Sequence, residues 1–248
     1  MVRFQPASTP APGGSKAMSL AKLRHRIPLF AGFEPSEFES VERCLVRRRY
    51  PAGQTLFHMG DEGGSLHIID RGRVKVTIPA ASGEELILAI LGAGDLLGEL
   101  SLFDGKPRSA TVQALEDAET LCLHREDLLA LMRNRFDVVE KILEVLARRI
   151  RDTDMLLAES HFLDITSRLA KKILDLGDDF GIREGGQVRI GVRITQKDLA
   201  SMIGATRESI NKQLKALRDQ GLVRISGGTI EILNRERLLR KARAVPKL

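Results

Sequence analysis

A chain of 248 residues has room for one large domain or two ordinary ones, each able to bury a core. No apolar run approaches the ~18 residues that cross a bilayer, and the start lacks the basic-then-apolar order of a signal peptide, so a cytoplasmic protein without a membrane partner is expected. The net charge of +6 is unevenly held: from Ile165 onward 18 Lys and Arg face 9 Asp and Glu, a net of +9, while the preceding residues carry 21 against 24, a net of −3. Such asymmetry points to a polyanion partner for the C-terminal part.

Residues 1–19, with PASTPAPGGS at their heart, are too poor in apolar surface to offset ordering and read as a tail; Met18 is an alternative start. Short helices are expected at Ala21 to Phe30 and Glu34 to Cys44, the second opening at Pro35 and Ser36. Arg47 to Arg49 reads as a solvated face. Cys44 and Cys122, far apart and without CxxC spacing, read as buried small hydrophobes rather than as a disulfide or metal site. From Tyr50 to Ala130 short runs alternate with a period of two, as at Val74, Val76, Ile78 and at Leu86, Leu88, Ile90. Glycines punctuate them, the pattern of a barrel or jelly roll.

Within that region Gly98 to Ala110, GELSLFDGKPRSA, gathers groups that suit a phosphorylated sugar. A turn at Gly98 into a short helix aims free backbone N–H groups at an anion. Arg108 adds a permanently charged fork and Ser109 a hydroxyl. Glu99 would repel a phosphate, so a sugar hydroxyl is its natural partner. Leu96, Leu97, Leu100, Leu102 and Phe103 are expected to anchor the segment in a core. The plainer reading is a barrel turn in which Glu99 and Arg108 form an ion pair.

GELSLFDGKPRSA resembles the phosphate-binding cassette of cyclic-nucleotide-binding domains, and the chain from about Leu29 onward is similar to the cyclic AMP receptor protein (catabolite activator) / fumarate-nitrate regulator superfamily of bacterial transcription factors. The resemblance implies a nucleotide lying along Gly98, Glu99, Leu100 and Ser101. Glu99 would then take the 2′-hydroxyl, and Arg108 and Ser109 the cyclic phosphate. It also implies an eight-stranded roll with the cassette between two late strands, and RNA polymerase as a partner.

A long helix is expected from about Asp137 to Glu159, with Leu146, Ile150, Thr153 and Leu157 at coiled-coil spacing, so that two such helices pair; the alternative is a helix lying on its own roll. Matching ARRIRDTD to the family pattern places Thr153 against adenine. Where the family's prototype has serine next, this chain has Asp154, which could accept from a guanine edge, leaving cyclic GMP open beside cyclic AMP. His161 to Asp164 reads as a hinge, and Asp164 as the N-cap of a helix from Ile165 to Leu176. A hairpin using Val188 and Ile190 follows.

Ile194 to Ile225 reads as a helix-turn-helix. Thr195 caps its first helix, Gly204 turns the chain, and Thr206 caps a second helix with Ile210, Leu214 and Leu217 inward. The outer face then presents Arg207, Glu208, Asn211, Lys212 and Lys215, residue types that read base edges or phosphates. RESINK resembles the family's recognition-helix start, which implies a TGTGA-like half-site read by Arg207, Glu208 and Lys212. Lys212 replaces an arginine there. Ser226-Gly227-Gly228 between two apolar runs reads as a wing.

The expected fold is therefore α+β: a tail over 1–19, a cyclic-nucleotide-binding jelly roll over 20–135, a dimerisation helix over 136–161, and a winged helix-turn-helix domain over 162–248. The expected function is a non-enzymatic, cyclic AMP-dependent homodimeric regulator binding double-stranded DNA, with no metal. Cyclic GMP, cyclic di-GMP or another effector are the alternatives. An iron–sulfur sensor would need more cysteines, and a haem sensor an axial ligand among His58, His67 and His124, where a strand histidine is more often structural.

Overall fold

The computed structural model describes residues 27–81, 83–184 and 187–242, and the expected tail lies outside them. Of the first expected helix the described part is a 3₁₀ turn, Pro28–Phe30, and α1 spans Pro35–Glu42. Its start signal is a Glu34–Glu37 capping box rather than Ser36. Eight strands follow: β1 Val46–Tyr50, β2 Thr55–Phe57, β3 Ser65–Arg71, β4 Val74–Pro79, β5 Glu85–Leu91, β6 Leu96–Leu97, β7 Thr111–Ala114 and β8 Ala118–His124. They form two four-stranded antiparallel sheets, ordered β1-β8-β3-β6 and β2-β7-β4-β5, closing a jelly roll around Ile69, Val74, Leu97 and Val112. Between β6 and β7 sits the short helix α2, Glu99–Asp104.

One expected strand face is misphased. Leu88 is exposed at a bulge where the β4–β5 register shifts, and Ile87 and Ile90 stand opposite Thr77 and Lys75 on the outer face of the roll. The extra residue switches which side chains point inward. Cys44, expected to be buried, is only half-buried; Cys122 is buried.

Helices α3 (Arg125–Asn134) and α4 (Phe136–Phe162) leave the roll. The first half of α4 lies on its own roll through Val138 and Ile142, with Leu146 half-buried beside them. Phe136, Leu143, Ile150 and Leu157, spaced by sevens, are exposed instead. The helix thus lies on its own roll along one face, to which Leu146 belongs, while the apolar row stands on another face. The helix also continues through His161, so the break before the next element is only Leu163 and Asp164.

Asp164 accepts from the Ser167 amide at 2.8 Å and caps α5, Ile165–Phe180. Then come β9 (Gly181–Glu184), β10 (Gln187–Ile190), α6 (Gln196–Ile203), α7 (Arg207–Asp219), β11 (Val223–Ser226), β12 (Thr229–Ile232) and α8 (Arg235–Ala242). Their core is formed by Leu169, Ile173, Leu199, Ile203, Ile210, Leu214 and Leu217, and Ile87 of the roll is buried in the same cluster. Lys75 reinforces this junction, 2.8 Å from Glu85 and 3.9 Å from Asp198 of α6.

Candidate functional site

Gly98 takes φ +81° as the N-cap of α2, a conformation costly for any residue with a Cβ, and a Cβ there would lie 2.2 Å from Nη1 of Arg108. The close approach has a purpose: Arg108 Nη1 donates to the Gly98 carbonyl at 2.7 Å, while Nη2 donates to the Ser65 carbonyl at 2.9 Å. The guanidinium also stacks on Phe57, 4.4 Å from the ring centroid. Two carbonyls and an aromatic face thus fix a side chain that is only 5% exposed. Its Nε, buried, has no hydrogen-bond partner among the described residues. Burial pulls its pKa below the ordinary arginine value, and the charges of Glu99 and Asp61 oppose that.

Glu99 is 1% exposed, and its Oε2 is likewise without a partner among the described residues. The Glu99–Arg108 ion pair of the plainer reading does not form. Instead Oε1 of Glu99 accepts from Arg149 of α4, which also donates to the Leu96 carbonyl. Arg149 is the site residue that sequence reasoning missed. It lies four residues before Thr153 on one helix face, and only the packing of α4 against the cassette reveals it. A buried acid and a buried base, each with one orphaned atom, fit a ligand that offers both a hydroxyl and an anion.

Ser101 is buried beside Gly63, where a Cβ would come within 2.2 Å of its own. Leu100 (44% exposed) and Phe103 (38%), expected to anchor the segment, face outward instead, and Leu96, Leu97 and Leu102 provide the anchor. Gly98, Glu99, Ser101 and Arg108 are therefore brought together. Ser109 and Asp154 stand exposed, and Thr153, also exposed, donates back to the Arg149 carbonyl at 2.8 Å. Asp154 lines an apolar groove of about 450 Å³ on α4 with Leu157, Ala158, His161 and Phe162.

In the C-terminal part, Thr195 Oγ1 accepts from the Asp198 amide at 3.1 Å and Thr206 Oγ1 from the Ser209 amide at 3.2 Å, so both hydroxyls act as helix caps. Gly204 (φ +63°) makes the turn between them. Ile210, Leu214 and Leu217 are buried, and Arg207, Glu208, Asn211, Lys212 and Lys215 all lie exposed on the opposite face of α7. Four of the five can donate hydrogen bonds and three are cationic, the chemistry of a groove-reading helix. The β11–β12 hairpin stands beside it as the wing.

No helix among the described residues is long and apolar enough to cross a membrane, and no group of side chains there could hold a metal ion. Residues 47–135 match the cyclic nucleotide-binding domain family and residues 167–241 the Crp-like helix-turn-helix domain family. The chain is 37% identical over 218 residues to the CRP-like cAMP-activated global transcriptional regulator of Mycobacterium tuberculosis, covering 88% of this chain and 97% of that one. It is 38% identical over 205 residues to the cyclic AMP receptor protein of Thermus thermophilus, covering 83% and 92%. Among solved structures, the c-di-GMP responsive global regulator CLP of Xanthomonas campestris superposes with a TM-score of 0.70 at 25% identity, over 81% of this chain and all of that one. With a nucleotide cassette built on a jelly roll and a winged reader behind a long helix, the chain belongs to the cyclic AMP receptor protein family of transcription regulators.

Proposed function

We propose that this regulator responds to cyclic AMP and reads DNA as a homodimer. The observation that carries the nucleotide reading is the pair of orphaned buried atoms, Oε2 of Glu99 and Nε of Arg108, in one cassette. A ribose 2′-hydroxyl would donate to the carboxylate and a cyclic phosphate would accept from the guanidinium, each ending a buried desolvation cost. Gly98 and Ser101 line the same place, Ser109 borders it, and Arg149 connects the carboxylate to α4. Thr153 and Asp154 would meet the base once a second α4 lies alongside, and the exposed row Phe136, Leu143, Ile150 and Leu157 is the seam for it. The dimer would set two α7 helices about one duplex turn apart. The similarity to a cAMP-activated transcriptional regulator and a cyclic AMP receptor protein supports cyclic AMP and a regulatory rather than enzymatic role; a cytoplasmic setting and RNA polymerase as a partner complete the proposal.

Asp154 favours a second reading, because its carboxylate accepts where guanine donates; cyclic GMP is therefore the rival ligand, and cyclic di-GMP a further one given the likeness to CLP. Calorimetric titration of the full chain with all three nucleotides, followed by DNA binding to a TGTGA-type palindrome at fixed salt, tests this. Cyclic AMP is expected to bind most tightly and to raise DNA affinity. Arg108→Ala should weaken nucleotide binding by at least about tenfold, the loss of a charge-assisted hydrogen bond. Arg207→Ala should relax base preference at one position by ~1–3 kcal/mol. Tighter cyclic GMP binding would overturn the cyclic AMP assignment.

A further inference from the structure

Behind the cassette arginine lies a polar chain that the nucleotide reading does not use. Arg108 Nη2 donates to Ser65 Oγ at 3.4 Å as well as to the Ser65 carbonyl. Ser65 Oγ lies 3.2 Å from Nε2 of His67. On the far side of the ring, Nδ1 is 3.2 Å from the Cys122 sulfur and 3.4 Å from Thr120 Oγ1. His67 faces Cys122 directly across the β3–β8 ladder and is 5% exposed, and its ring packs 5.6 Å from Phe57, the same ring that carries the guanidinium.

A histidine beside a cysteine invites the reading of a nucleophile and its base. The surroundings argue against it. Burial, aided by the charges of Arg108 and Arg48, pushes the imidazole down to about 4, and burial pushes the Cys122 thiol up. Both groups are neutral at physiological pH, and a buried neutral thiol is inert. Proton counting fixes the arginine end of the chain. Arg108 can only donate, so Ser65 Oγ accepts from it, which leaves the hydroxyl a hydrogen and a second lone pair for the contact with Nε2. One tautomer makes the relay continuous: the Ser65 hydroxyl donates to a bare Nε2, and Nδ1–H donates to the Cys122 sulfur and Thr120 Oγ1.

We propose that His67 is a positioning residue for the phosphate-binding arginine, acting on Arg108 through the Ser65 hydroxyl, with Cys122 and Thr120 fixing its tautomer. This rests on the nucleotide reading of the cassette. By holding the Ser65 hydrogen away from Arg108, His67 keeps the serine oxygen turned to the guanidinium and the fork locked between Ser65 and Gly98. Nε then stays aimed for an anion. Without the ring acceptor the hydroxyl rotates, and the head of Arg108 loses one of its restraints.

The test is a double-mutant cycle read by cyclic AMP titration of the full chain. His67→Leu and Ser65→Ala are each expected to weaken binding about fivefold, the size of one neutral hydrogen bond, and the double variant no more than either alone. His67→Gln, which keeps an acceptor, is expected to lie within about twofold of wild type. Wild-type affinity in His67→Leu, or losses that multiply in the double variant, would overturn the proposal. The imidazole ¹⁵N spectrum of the wild-type protein at neutral pH supplies an arm that needs no ligand and no folded variant. A protonated Nδ1 with a bare Nε2 supports the relay, and the opposite tautomer overturns it. A wild type that binds none of the three cyclic nucleotides overturns the reading of the pocket, while the spectrum still decides the relay.

Discussion

Arg149 shows how one side chain couples two elements. It ties Glu99 of the cassette to α4, and its side chain is about one-third exposed while that of Glu99 is almost fully buried. Removing it leaves a buried carboxylate without its hydrogen-bonded cation, with the charge of Arg108 nearby as the remaining offset. Arg149→Ala is expected to lower unfolding stability by about 2 kcal/mol, less than a wholly buried pair because water already screens the arginine; urea titration at pH 7 checks this. His67 makes a prediction of the opposite kind. Its folded pKa, about 4, lies below the ordinary histidine value, so the unfolded chain binds the proton more readily. Stability therefore falls as pH drops from about 6.5 toward 4, by up to about 3 kcal/mol, and rises again on neutralisation. Comparing melting at pH 7 and pH 4.5 in wild type and His67→Gln isolates the effect, because the variant should lose that part of the slope.

The seam of α4 can be tested at the level of the whole helix. Ile150 and Leu157 are 63% and 70% exposed and stand seven residues apart, so a carboxylate at either would sit in the middle of a paired interface. Ile150→Glu and Leu157→Glu are expected to shift the protein from dimer to monomer in sedimentation at micromolar concentration, without loss of helix content. Most elements were legible in the sequence because their signals are local. Thr195, Gly204 and Thr206 mark the reader, and Asp164 caps α5 through its own side chain. The cassette was legible for the same reason, since Gly98, Glu99, Ser101 and Arg108 lie within one short run. What escaped was tertiary. Arg149 stands 50 residues from its partner Glu99, and the outward turn of Leu100 and Phe103 depends on where α2 settles. The β5 faces were misassigned because a bulge at Leu88 breaks the period of two, which no pattern of apolar letters announces.

Across the whole molecule, charge and packing divide the work. The net of +9 from Ile165 onward accompanies the exposed cations of α7, and the two domains meet where Ile87 of the roll enters the reader's core. That residue is 3% exposed in a cluster whose other buried members all come from the C-terminal part, with Ile90 and Leu115 of the roll packed against it. Ile87→Ala is therefore expected to cost about 2–4 kcal/mol and to lower the melting of the reader as well as of the roll, seen as a common shift in hydrogen exchange of α6 and β5. The same junction bears on how the molecule can be cut. Severed after α4, the N-terminal piece would carry Ile87 and Ile90 as an oily stripe on a bare strand, and should clump in solution until those two positions are made hydrophilic.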